Sequence, residues 1–224
     1  MSNSMIISNE KSQFNKDGVL VTYTRKSSNK KTGNVPTIMF LCANHKPTEA
    51  VKNGADNAVC GNCILKPING KDKLNSCYVN KGFAPNSVYK AIGRGNVPGT
   101  LPNAVSVDVQ RSGGYGDNAS VSKGTNFYIM SLAKITLCYT HNWLRSLHLR
   151  HFSMASVHSK AEALKAQSLG FRTFRISDTA CEKLLPNEIV CPNFKNNKIQ
   201  CRKCKLCSGL QRSGAKSIVI PKHK

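Results

Sequence analysis

At 224 residues and 40% apolar content, the chain can bury a sizeable core as one large domain or two small ones, and it is not a disordered tail. Its longest apolar run, IMFLCA at 38–43, is far too short to cross a bilayer. The N-terminus lacks the basic start and apolar core of a secretory signal, so no membrane partner is expected and the expected location is cytoplasmic. Thirty-three Lys and Arg against 11 Asp and Glu leave a net charge of +22, a field that attracts polyanions, with nucleic acid the commonest.

In chain order, residues 1–17 are polar and are expected to form a flexible N-terminus. GVLVTYTR (18–25) alternates and is β-rich, which predicts a strand. SSNKKTGNVP (27–36) is a basic loop. Residues 42–78 form a loop-rich, cysteine-rich insert that needs something to order it. APNSVYKAIGRG (84–95) predicts a short helix. AVSVDVQRSGG (104–114) predicts a buried strand that breaks into a Gly-rich loop, and SLAKITLCYTH (131–141) a second buried strand. NWLRSLHLRH suits a short helix, and FSMASVHS (152–159) a further strand.

SKAEALKAQSLG (159–170) carries the clearest helix signal. Ser159 with Glu162 three residues on makes a capping box, and Gly170 is placed to stop the helix. FRTFRIS (171–177), NEIVCPN and KSIVIPKH complete the strands. Strands alternating with short helices predict an α/β fold with mainly parallel strands. The expected organisation is a single α/β domain over 18–224.

Ten cysteines without an export signal read first as metal ligands. Cys201, Cys204 and Cys207 form C-x-x-C-x-x-C, and Cys191 offers a fourth thiol upstream. Zinc and an iron–sulfur cluster both remain open for this set. Five Lys or Arg and no acid lie between Cys191 and Cys207. In the insert, Cys60, Cys63 and Cys77 form a second centre, with Cys42 or His45 as the fourth ligand; Cys42 also suits a buried core thiol. Cys138 and Cys181 stand alone and are expected to be structural.

In a parallel sheet, ligand sites gather at the carboxyl ends of the strands. Arg111, Asp117, Tyr139, Thr140, His141, Ser156, His158, Arg175 and His223 fall at or near such ends. Asp117, His141 and Arg175 are the candidate catalytic group. The excess positive charge points to a phosphate-contacting edge made by Arg25, Lys26, Lys30, Lys31, Lys198, Arg202, Lys203 and Lys205.

The combination of TRKSSNKKTG, CGNC…SCY, YTHNW, MASVHSKAEALKAQSLGFRTFR and CPNF…CRKCKLC resembles the cysteine-rich gene-product-eighty-eight type of phage and plasmid proteins. The resemblance covers most of residues 22–223. It implies a TIM-like barrel or partial barrel with cysteine-bound metal, distantly similar to radical-SAM barrels, encoded by a phage or plasmid in a bacterial host. By position, the family's cysteines fall on Cys60, Cys63, Cys77, Cys191, Cys201, Cys204 and Cys207. Its Gly-Asp falls on Gly116 and Asp117, and its Tyr-Thr-His on Tyr139, Thr140 and His141. The first cluster departs from the C-x3-C-x2-C triad, so S-adenosylmethionine is not expected as a cofactor.

Three functions follow as expectations: a metalloprotein that engages nucleic acid through a basic face, an iron–sulfur enzyme of barrel type, or a structural metalloprotein acting through protein partners.

Overall fold

A computed structural model describes residues 3–67, 77–97, 107–178, 183–210 and 214–221. The predicted strands at 18–25, 131–141, 152–159 and 171–177 form, as do those in NEIVCPN and KSIVIPKH. The first 17 residues depart from the expected flexible terminus. Ser4–Lys11 is a strand (β1) paired antiparallel with β2, Gly18–Thr24, because Ser4 and Met5 are buried and Ile7 packs against the core, while the later residues lie at a partly solvated sheet edge. β2 pairs antiparallel with β3, Thr37–Cys42, whose six residues are all buried.

After β3 come three helices: α1, Pro47–Asn53; α2, Asn57–Cys60; and α3, Ala84–Gly93. β4, Val107–Ser112, is parallel to β3, and residues 104–106 of the predicted strand lie outside the described residues. α4, Lys123–Ser131, is a helix the sequence reading lacks. The Ser122 side chain caps it by accepting from the Thr125 N–H at 3.2 Å.

β5, Ala133–Leu137, and β6, Tyr139–Thr140, are separated by Cys138 alone, so the chain passes from one sheet to the next within a residue. β7, Met154–Val157, follows the 3-10 turn Leu147–His151, where a longer helix was expected. α5, Lys160–Ser168, starts as predicted: the Ser159 hydroxyl accepts from the Glu162 N–H. The remaining elements are β8, Thr173–Ser177; β9, Glu188–Val190; α6, Pro192–Lys195; α7, Cys201–Cys204; and β10, Ser217–Pro221.

The order is β1-β2-β3-β4-β5 in one sheet and β6-β7-β8-β10-β9 in the other. From β3 onward every pairing between strands is parallel, which bears out the α/β class. A TIM barrel is not what these residues form. Neither sheet closes: an antiparallel β1–β2–β3 meander takes one end, and short β9 ends the other. No helix among the described residues is long and apolar enough to cross a membrane.

Side chains alternate across β4 and sort the two faces of the sheet. Gln110 is buried and donates to the Ile129 carbonyl of α4 at 2.6 Å and to Thr136 Oγ1 at 2.9 Å. Val109 belongs to the opposite face, with Ile135, Leu137, Met154, Phe174 and Ile218. Cys191 and Cys207 are part of that same apolar cluster, so the C-terminal cysteine loop is the lid of this face.

Candidate metal centres and basic face

The C-terminal loop is set by backbone bonds before any ligand is considered. The Cys191 N–H donates to the Val219 carbonyl at 2.8 Å, which ties the start of α6 to β10. The single turn of α7 puts Cys201 and Cys204 on one side of a helix. Lys205 then takes the left-handed conformation, φ 59°, and its N–H returns to the Cys201 carbonyl at 2.9 Å, which swings Cys207 back toward the sheet. There the Cys207 carbonyl accepts from the Cys138 N–H at 3.2 Å.

Gly209 passes so close to β7 that a Cβ would lie 2.1 Å from the Ser153 nitrogen. Arg172, 5% exposed, gathers the loop from below. Its guanidinium donates to the carbonyls of Leu206 at 2.9 Å, Lys216 at 2.5 Å, Leu210 at 3.3 Å and Ser208.

The result is that Cys191, Cys201, Cys204 and Cys207 line one small cavity of about 10 Å³, roofed by Leu137 and Leu206. Burial pushes the Cys207 thiol up to about 12; the Tyr139 hydroxyl bonded to it acts in the opposite direction, and the neighbouring thiols Cys201, Cys191 and Cys204 raise it further. Burial also raises Cys201, against the charges of Lys31 and Arg111. All nine described cysteines are free, and no group of three or more Cys, His, Asp or Glu side chains among the described residues stands at metal-holding geometry. Closing four thiols on an ion therefore requires their side chains to move.

The insert brings Cys60, Cys63 and Cys77 within electrostatic reach of one another. Burial raises Cys60 well above its ordinary value, and Asp56, Cys63, Cys77 and Asp117 add to it; Cys63 is pushed up to about 12, chiefly by burial. Neither proposed fourth ligand joins them. Cys42 donates its thiol to the Ala55 carbonyl at 3.2 Å and sits 2% exposed in the core, so it is the buried core thiol of the alternative reading. His45, half-buried just ahead of α1, has its Nδ1 3.4 Å from Nδ2 of Asn53 at the end of that helix. Tyr115 was missed by sequence reasoning: it is 3% exposed, its hydroxyl has no partner, and Cys60 and Cys77 are among the groups acting on it. The signal was the Gly-rich loop around it. Gly116 (φ 74°) has no room for a side chain, because a Cβ would lie 2.7 Å from that of Phe40.

Asp117 is a clamp between this loop and the strand end. Its Oδ1 accepts from the Ala119 N–H at 2.9 Å, and its Oδ2 from the His141 N–H at 2.8 Å and Asn142 Nδ2 at 2.9 Å. Asn142 in turn donates to the Cys60 carbonyl and accepts from the Asn62 N–H, both at 3.1 Å. The structure thus brings Asp117 and His141 together through the main chain. The His141 ring stacks on His158 at 5.5 Å. Arg175 is directed elsewhere: its Nε and Nη2 each donate to the Glu188 carboxylate at 2.7 Å, with both side chains buried. Cys138 is buried and donates to Asn118 Oδ1 at 3.1 Å, in line with a structural role. Cys181 and His223 lie outside the described residues.

Burial, and then the neighbouring His158, lower His141 to about 4 from 6.5. Between those values the unfolded chain takes up a proton that the folded chain refuses, so stability falls as pH drops from 6.5 toward 4. Relative to His141→Gln, the wild type is expected to lose about 3 kcal/mol across that window in urea melts. Parallel pH profiles for the two proteins would contradict this.

The two basic runs meet in space. The Gln200 side chain donates to the Lys30 carbonyl at 3.2 Å, and a Cβ on Gly33 would lie 3.0 Å from that of Arg202. α7 therefore packs on the 3-10 turn Lys30–Thr32. Lys30, Lys31, Arg202 and Lys203 are exposed on this joint surface, and Lys198 is exposed on the same loop. Arg25 and Lys26 are exposed at the end of β2, where Asn3 binds the main chain of both. Lys205 departs from the expected phosphate-contacting set: it donates to Asp108 at 2.8 Å.

Comparison of the chain with models of known families, with curated proteins and with solved structures finds no match.

Proposed function

We propose that this protein is a thiolate metalloprotein whose C-terminal centre braces a composite basic face for nucleic acid. The observation that carries the reading is the placement of α7. One turn of helix supplies Cys201 and Cys204 to the four-thiol cavity and Arg202 and Lys203 to the surface shared with Lys30 and Lys31.

A single zinc ion is the simplest guest for this site, because four thiols lining one small cavity match the four-ligand set of a structural zinc centre. Four thiolates around one divalent ion leave a net negative centre, which the charge of Lys31 beside Cys201 offsets. The role of the ion here is structural, with no open coordination position. Cys60, Cys63 and Cys77 are a second thiol group of the same character, steadied by the Asp117–Asn142 clamp. The motif resemblance to phage and plasmid proteins is consistent with a cytoplasmic nucleic-acid partner in a bacterial host.

Binding of fluorescent single-stranded and duplex oligonucleotides, followed by anisotropy over a range of salt, tests the reading. Affinity is expected to fall linearly in log salt. Lys31→Glu with Arg202→Glu is expected to lower the slope by about 2, roughly one per lost phosphate contact. Absence of binding at low salt, or a slope indifferent to both substitutions, would sink the proposal.

A further inference from the structure

Arg111 is the last residue but one of β4, which lies between β3 and β5 in the first sheet. It follows Val109 on the inner face, the side covered by the C-terminal cysteine loop. Its main chain is fixed on both sides: it pairs with Thr37 of β3 and Leu137 of β5, and its N–H donates to the Pro36 carbonyl at 2.8 Å.

The guanidinium has no such anchorage. Nε is buried without a partner, and among the described residues the side chain makes no hydrogen bond and no ion pair. Its surroundings are thiols and phenols. Arg111 acts electrostatically on Cys201, Cys138, Tyr139 and Tyr78, and Tyr78 also senses Cys63, Cys77 and Cys207. The residue therefore stands between the two cysteine loops, near the carboxyl end of a strand with parallel neighbours on both sides, where α/β sheets hold ligands.

The other buried arginines differ from it. Arg172 is surrounded by carbonyls, and Arg175 faces Glu188. The half-exposed guanidinium keeps one buried donor, Nε, without a partner, and an anion seated on it would complete that donor. Its planar fork matches the two oxygens of a carboxylate or phosphate.

We propose that Arg111 anchors a small-ligand site between the two cysteine loops that takes an oxyanion group, a phosphate or a carboxylate. This site is separate from the basic face at Lys30, Lys31, Arg202 and Lys203, and it does not depend on which metal the thiols hold.

Calorimetric titration of the full chain, as purified, with inorganic phosphate and with acetate tests the proposal. At least one of the two is expected to show a single saturable site, and the difference between them names the preferred oxyanion. Arg111→Met should weaken that binding tenfold or more, and Arg111→Lys, which keeps the charge and loses the fork, should weaken it less. Lys31→Glu with Arg202→Glu should leave it unchanged while lowering the oligonucleotide salt slope, so the two sites fail separately.

Wild-type protein that binds neither anion, or Arg111→Met that binds phosphate and acetate as wild type does, would overturn the site. So would Arg111→Lys that loses bound metal, because Arg111 would then serve the thiolates. If Arg111→Met does not fold, Arg111→Lys carries the test: affinity equal to wild type for both anions is against the site, and weakened affinity with metal content unchanged supports it.

Discussion

Cys204→Ser is expected to remove about one zinc ion per chain and to lower the stability of the protein by several kcal/mol, on the order of what a structural thiolate site supplies. Cys204 lies on α7, which contributes two thiols to the cavity and packs on the basic 3-10 turn. Binding at a structural thiolate site is on the order of 10 kcal/mol at neutral pH, and it adds to the backbone ties of a segment whose regular structure is the single turns α6 and α7.

With the ion gone, the Cys191–Cys207 segment keeps its backbone ties to β10, Cys138 and Arg172. The parallel sheet is therefore expected to persist in far-UV circular dichroism while the loop becomes protease-sensitive. Cys42→Ser, at a core thiol bonded to Ala55, should leave the metal content as it was. Equal metal loss from the two substitutions would contradict the assignment.

Arg175→Ala is expected to destabilise the fold by about 3–5 kcal/mol, which for a chain of this size is a fall of roughly 10 °C in Tm. The reason is the carboxylate left behind. Glu188 is wholly buried, and without Arg175 its carboxylate keeps, among the described residues, the Leu185 N–H at 2.8 Å. Arg175→Met combined with Glu188→Leu should recover most of the loss, because it removes both charges and preserves volume. A catalytic or ligand-binding Arg175 would behave differently: the double variant would regain Tm, while a function measured separately would stay lost. Thermal melts of the two single variants and the double variant decide this.

Part of this structure is legible in the chain because its signals are local. Ser159 and Glu162 cap α5 across three residues, and the alternation of GVLVTYTR marks β2. The spacing of Cys201, Cys204 and Cys207 marks a thiol site for the same reason, since one helical turn puts the first two side by side.

What the sequence conceals is long-range. β1 looks like a polar terminus because its partner β2 supplies the burial for Met5. The joining of Lys30 to Gln200 spans 170 residues, and no local pattern shows it. Arg175 looks like a strand-end ligand, while its partner Glu188 sits 13 residues further on, in a strand whose neighbour is β10. A closed barrel is not seen: neither sheet closes, and β1, β2 and β3 form an antiparallel meander at one end, because hydrophobic alternation does not encode the direction in which neighbouring strands run.

The central claim is that the C-terminal thiols hold one ion and that this ion braces the basic face. The most direct measurement is elemental analysis of anaerobically purified protein, with its visible spectrum, for the wild type and for Cys201→Ser with Cys204→Ser. The account predicts colourless protein and a difference of about one zinc ion per chain between the two. Brown protein carrying iron and sulfide at these cysteines, or identical metal content in the two proteins, would contradict it.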